Sequence, residues 1–120
     1  MNPDEILRLA AQALSSLDYD ALVSLYSKDF LFEDPSLGDT IQDRQQLRDY
    51  FRNLFSLPGI AFTNVSFYAL GNHGAGEWTW SGISPHTGRP YTIRGASLFE
   101  LTDAGIKRET IFYDPTSFRG

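Results

Sequence analysis

Tyr26-Ser27-Lys28-Asp29-Phe30-Leu31-Phe32-Glu33-Asp34-Pro35 joins a helical half of the chain to a β-rich half. Within it Phe30 to Glu33 is apolar, aromatic-rich and halted by Pro35, which predicts a brief strand at a sheet edge. Ser36 to Asp39, with Gly38, supplies loop chemistry. Upstream, Asn2 can cap a helix, Pro3 suits its first position, and Ile6, Leu7, Ala10, Leu14 and Leu17 recur at helical spacing, predicting a helix over 3–16. Asp18 offers a second cap, and Leu22, Leu25 and Tyr26 mark the inner face of a short helix that stops near Lys28-Asp29. Downstream, Asp43 and Gln46 resemble a capping box. Leu47, Tyr50, Phe51, Leu54 and Phe55 then define a third amphipathic helix, ended by Pro58-Gly59.

Beyond Gly59 the hydrophobic period shortens to that of a strand, with β-rich stretches at about 60–70, 75–82, 91–101 and 106–113. Gly71-Asn72-His73-Gly74 and Thr102-Asp103-Ala104-Gly105 are short turn sequences, each expected to close an antiparallel hairpin. Residues 83–90 contain Pro85, Gly88 and Pro90 and form a longer loop. Helices followed by antiparallel strands define an α+β fold, with the three N-terminal helices on one face of the sheet. No repeat or linker divides residues 1–120, so one domain is expected.

Forty-two per cent of residues are apolar and 14% aromatic, more than a solid core of this size needs, so a lined cavity is expected. The net charge of −5 and the scattered Lys and Arg exclude the basic footprint of a nucleic-acid or anionic-membrane binder. With no cysteine there is no disulfide, thiolate nucleophile or Cys-based metal site. His73 and His86 fall in separate loops and support no metal site. The acidic N-terminus lacks the character of a secretory signal, and no apolar run approaches the ~20 residues of a membrane span. A cytoplasmic location, without membrane or nucleic-acid partners, is the expectation.

The order helix-helix-strand-helix and then four long strands, together with residues 26–35, resembles the nuclear-transport-factor-2-like superfamily over nearly the whole chain. Glu33-Asp34-Pro35 is similar to the ketosteroid isomerase branch, in which the Asp before the proline is the proton-abstracting base. Glu77-Trp78-Thr79-Trp80-Ser81-Gly82, Thr87-Gly88-Arg89, Arg94-Gly95 and Ile111-Phe112-Tyr113-Asp114 look more like SnoaL-like polyketide cyclases, in which an Asp ending the last strand is the base. The resemblance implies a cone-shaped, strongly curved, mostly antiparallel sheet that encloses a pocket with the helices. It also implies a homodimer and a cofactor-free proton abstraction next to a carbonyl, or a non-catalytic module of the same fold binding an apolar small molecule.

Asp34 is the first candidate base. Glu33 and Asp34 point to opposite faces of their strand, and a carboxylate among Phe and Leu side chains has its charged form disfavoured. The same Asp-Pro pair also initiates turns. Asp114 is the second candidate: counting back by twos gives Phe112, Thr110 and Arg108, a face expected to be concave. The alternative is that Asp114 caps the strand exit. Pocket-lining residues are expected to be Tyr26, Phe32, Tyr50, Phe55, Ser97, Phe99, Thr110 and Phe112. Ala10 stands where the isomerases carry their helix-one tyrosine, and Ser97 where they carry a protonated Asp. Tyr26, Tyr50, Tyr68, Tyr91 and Tyr113 are the remaining sources of a phenol. Trp78 and Trp80 share one strand face and Glu77, Thr79 and Ser81 the other. Either face can meet the pocket, the alternative being that the tryptophans belong to the core or a dimer surface.

Overall fold

The computed structural model describes residues 1–119. Helix α1 (Pro3–Ser15) begins where Asn2 Oδ1 accepts a hydrogen bond from the Glu5 amide at 2.8 Å, one of the orphan donors of a helix N-terminus. Its buried face is Ile6, Leu7, Ala10, Ala13 and Leu14. Asp18 caps α2 (Tyr19–Ser24) in the same way through Ala21. Strand β1 (Tyr26–Asp34) follows at once, and β2 (Asp39–Ile41) pairs back on it across the Pro35 turn. Asp43 caps α3 (Arg44–Leu54), whose first residue reaches back: the Arg44 guanidinium donates to the carbonyls of Val23, Tyr26 and Ser27, pinning α3 over the start of β1.

The second half is β3 (Ala61–Leu70), β4 (His73–Ile83), β5 (Pro90–Thr102) and β6 (Gly105–Tyr113), closed by a short α4 (Thr116–Arg119). The six strands form one sheet in the order β2-β1-β6-β5-β4-β3, antiparallel except for the β1–β6 pair. Beyond the three helices of the first half, α4 makes a fourth. The α+β fold is therefore a mostly antiparallel, strongly curved open sheet. Helices α1 to α3 cover its concave face, and Leu7, Leu14, Leu47 and Phe51 meet Phe32, Phe62, Trp78, Phe99 and Ile111 in one core.

Three local features depart from the sequence reading. Helix α2 stops at Ser24 and the strand begins at Tyr26, because the exposed Lys28-Asp29 pair sits in an irregularity of β1 and does not end a helix. Strand β1 is not an edge: it lies between β6 and β2, a strand hidden in a stretch that reads as loop. The third departure decides the site. Glu100 pairs with Arg108 and Leu101 with Ile106, so Lys107 is an extra, bulged residue. Lys107 and Arg108 are both exposed, and the alternation beyond them is shifted: Glu109, Ile111 and Tyr113 face the concave side, whereas Arg108, Thr110, Phe112 and Asp114 do not.

Candidate functional site

The concave face and the helices enclose a cavity of about 50 Å³. Leu14 of α1, Phe32 of β1 and Tyr50, Phe51 and Leu54 of α3 form one wall; Phe62, Trp78 and Trp80 form the opposite one. Glu109, Ile111 and Tyr113 of β6 complete it. Packing of the walls is aromatic throughout, with Phe32 and Tyr50 ring centroids 5.1 Å apart and Trp78 and Tyr113 6.0 Å apart. Gly95 lies between Trp78 and Tyr113 in the strand register, and an added Cβ would fall inside the Trp78 ring. The missing side chain is what lets the two rings meet.

Two buried carboxyl groups are each hydrogen-bonded to a phenol. Asp34 has no solvent-accessible surface, and Tyr113 Oη donates to its Oδ2 at 2.7 Å. Burial raises the Asp34 pKa, against the opposing effect of the Tyr113 bond and of the Leu37 amide. Glu109 is likewise raised by burial, although the Tyr26 and Ser97 hydroxyls both donate to it. Ser97 in turn accepts from Trp78 Nε1 at 3.0 Å. The phenols of Tyr26, Tyr50 and Tyr113 are all pushed above the ordinary tyrosine range, by burial first and by these carboxylates second. They are neutral donors at physiological pH. Tyr50 lines the cavity, and its hydroxyl has no hydrogen-bond partner among the described residues.

The expected site residues separate into three groups. Phe32 and Tyr50 line the cavity, and Asp34 stands directly behind Tyr113. Tyr26, Phe55, Ser97 and Phe99 are in the core around it: Tyr26 and Ser97 bind Glu109, Phe55 packs on Phe51 and Phe62, and Phe99 packs on Phe67. Thr110 and Phe112 lie on the convex face, in a groove with His73, Leu98 and Arg108, a correction to the expectation that the face they share with Asp114 is concave. Asp114 is also outside. It is exposed, accepts from the Thr116 amide and hydroxyl at the start of α4, and those bonds lower its pKa. Its capping role is what the geometry supports. Glu33 faces outward as well, paired with Arg108 at 2.7 Å.

Glu109 is the residue that sequence reasoning missed. Its signal was the adjacent charged pair Lys107-Arg108, which cannot alternate in and out of an apolar face and so marks a bulge. The packing of α4 was missed too: it brings Phe118 against Trp80, Tyr91 and His86, and Ser84 Oγ donates to the Phe118 carbonyl at 2.6 Å. A groove of about 380 Å³ beside α4 shares Trp80 and Tyr113 with the cavity. Among the described residues no three His, Asp or Glu side chains gather as a metal site. No helix among the described residues is long and apolar enough to cross a membrane.

A curved sheet with helices closing its concave face, and an aromatic cavity between them, is a fold of the nuclear-transport-factor-2-like class. The chain belongs to the SnoaL-like family, whose domain model matches residues 6–109. Its fold is that of a ketosteroid isomerase-like protein from Catenulispora acidiphila DSM 44928, solved in complex with trimethylamine: TM-score 0.81, 22% identity, covering 98% of this chain and 91% of that one. An NTF2-like protein from Burkholderia thailandensis E264 matches with TM-score 0.83 and 19% identity, over 98% and 94% of the two chains. A Pseudomonas putida KT2440 protein assigned as a polyketide cyclase matches with TM-score 0.81 and 16% identity, over 98% and 96%. No curated protein matches the sequence.

Proposed function

We propose that this protein binds a small ligand in the aromatic cavity and moves a proton at the carbon next to the ligand's carbonyl, using its own side chains. The observation that carries this reading is the Asp34–Tyr113 pair: a carboxyl withdrawn from water, without a cation, bonded to a phenol that lines the cavity. Burial brings Asp34 toward the pKa range in which a carboxylate is an effective general base. Asp34 does not line the cavity itself, so the proton passes through the Tyr113 oxygen: Tyr113 takes it from carbon while giving its own to Asp34. The free Tyr50 hydroxyl is the donor for the developing enolate oxygen, the task of an oxyanion hole. It stands in for the phenol that Ala10 cannot supply.

The SnoaL-like family and the neighbour assigned as a polyketide cyclase support this chemistry class. The Catenulispora neighbour's trimethylamine is of a size such a small cavity admits. The test is exchange of α-protons of small ketones and aldehydes in D₂O, followed by NMR. The protein is expected to accelerate exchange over buffer, and Asp34→Asn to remove about 10²–10⁴-fold of that acceleration. No acceleration with any carbonyl compound that binds would leave the second reading, a non-catalytic module for an apolar ligand, which the withdrawn position of Asp34 favours. The dimer belongs to the proposal as well. Tyr68, Leu98 and Phe112 are 63%, 54% and 46% exposed on the convex face, where a second copy would cover them.

A further inference from the structure

At the Glu109 end of the cavity the hydrogen-bond directions can be read from chemistry. An indole N–H only donates, so the Trp78 bond obliges Ser97 to direct its own hydrogen to Glu109 Oε2, at 2.8 Å. Tyr26 is bonded to the other carboxylate oxygen. Both oxygens are thus met by hydroxyl groups, an arrangement that favours the anion. No counter-charge accompanies it: no Lys or Arg lines the cavity among the described residues, and Arg108 is turned outward to Glu33 and Glu100. A buried carboxylate without a cation is costly, and a neutral apolar ligand would seal it in place uncompensated. The cavity it shares is lined by Phe32, Tyr50, Trp78, Trp80 and Tyr113, aromatic rings of the kind whose faces attract positive charge.

We infer that the cavity selects a small organic cation, an alkylammonium group seated with its nitrogen at Glu109 and its carbons against the aromatic walls. The inference rests on the cavity being the ligand site and is independent of proton transfer at Asp34. The volume of about 50 Å³ limits the buried part of the ligand to a few heavy atoms, such as a branched or methylated ammonium group. Burial raises the Glu109 pKa in the empty cavity, and an ammonium there would restore the ionised form.

The deciding experiment compares isopropylammonium chloride with 2-propanol, the same carbon frame with and without charge, by NMR titration of the full chain at neutral pH and 0.5 M salt. Wild type is expected to bind the ammonium at least about tenfold more tightly, with NOEs from the ligand methyls to the Trp78 and Trp80 indoles. Glu109→Gln is expected to abolish the preference while still binding the alcohol. Equal affinities, or a preference that survives Glu109→Gln, would overturn the cation assignment and leave the ligand site intact. Binding without indole NOEs would overturn it as attraction to the acidic surface. Binding of neither compound would overturn both the cation assignment and the cavity as ligand site. Should Glu109→Gln fail to fold, the wild-type comparison and the NOEs decide.

Discussion

The Tyr113 hydroxyl donates to Asp34 Oδ2 at 2.7 Å, linking the end of the last strand to the end of the first across 79 positions. Removing it leaves Asp34 with the 3.3 Å bond from the Leu37 amide and the weaker one from the Ser36 backbone. Tyr113→Phe is therefore expected to destabilise the fold by about 1–3 kcal/mol at pH 7.5, the cost of an under-satisfied buried acceptor. The Tyr113 bond lowers the Asp34 pKa, so its loss raises that pKa further above the ordinary 3.8. The protonated native form is then favoured more, and the deficit shrinks as the pH falls toward 3.8. Urea midpoints at several pH values measure this, and a deficit that grows on acidification would contradict it.

Glu109 gives a pH signature of its own. Its native pKa lies above the ordinary 4.5, so the folded state holds a proton more tightly than the unfolded chain does. Its favourable contribution is complete below 4.5 and is lost as the pH rises through the native pKa, by about 1.4 kcal/mol for each unit of elevation. Glutamine has no such dependence. The stability of wild type relative to Glu109→Gln should fall from pH 4.5 to pH 8, measured by chemical unfolding of both. A pH-independent difference would mean that Glu109 has the same proton affinity folded and unfolded.

Asp114 should behave oppositely to Asp34. It is exposed, and its pKa is lowered by the Thr116 bonds, so what it contributes to α4 is present at neutral pH and lost as the pH falls through that lowered value. As a surface change away from the cavity, Asp114→Asn should leave α-proton exchange within about twofold of wild type. Loss of exchange in this variant alone would transfer the base from Asp34 to Asp114.

The element order was legible because caps and periods are local. Asn2, Asp18 and Asp43 each cap the helix their spacing announces, and Leu47 and Phe51 are buried where the period puts them. Strand faces were legible only up to a bulge. Lys107 is an insertion whose existence depends on pairing with Glu100 and Leu101, partners set by the hairpin and not by neighbours in sequence. Counting back from Asp114 stays beyond the bulge and groups Arg108, Thr110 and Phe112 with it, but which face is concave depends on that pairing, and Glu109, Ile111 and Tyr113 are the ones that face inward. The burial of Asp34 was legible because Phe30, Phe32 and Asp34 alternate cleanly after the irregularity at Lys28-Asp29.

The convex residues give a prediction for assembly. Leu98 and Phe112 are exposed on adjacent strands, and Leu98→Asp with Phe112→Asp puts two charges on the face proposed to meet a second copy. Wild type should sediment as a dimer at micromolar concentration and the double variant as a monomer with unchanged ligand binding. A monomeric wild type would remove this face from the proposed dimer.

Gly95 and Gly76 separate steric cost from cavity shape. Both are on the concave side of paired strands, and each would drive a new Cβ into an aromatic ring: Trp78 for Gly95, Phe67 for Gly76. Neither has a positive φ, so backbone conformation is no obstacle and the effect comes through the displaced ring. Overpacking of this kind costs about 1–3 kcal/mol, and both Ala variants should lose stability on that scale. Only Trp78 lines the cavity and holds Ser97 against Glu109, whereas Phe67 packs on Phe99 away from it. Gly95→Ala should therefore alter tryptophan fluorescence and weaken ligand binding as well, and Gly76→Ala should leave binding near wild type. Equal losses of binding in the two variants would mean that the Trp78 ring does not shape the ligand site.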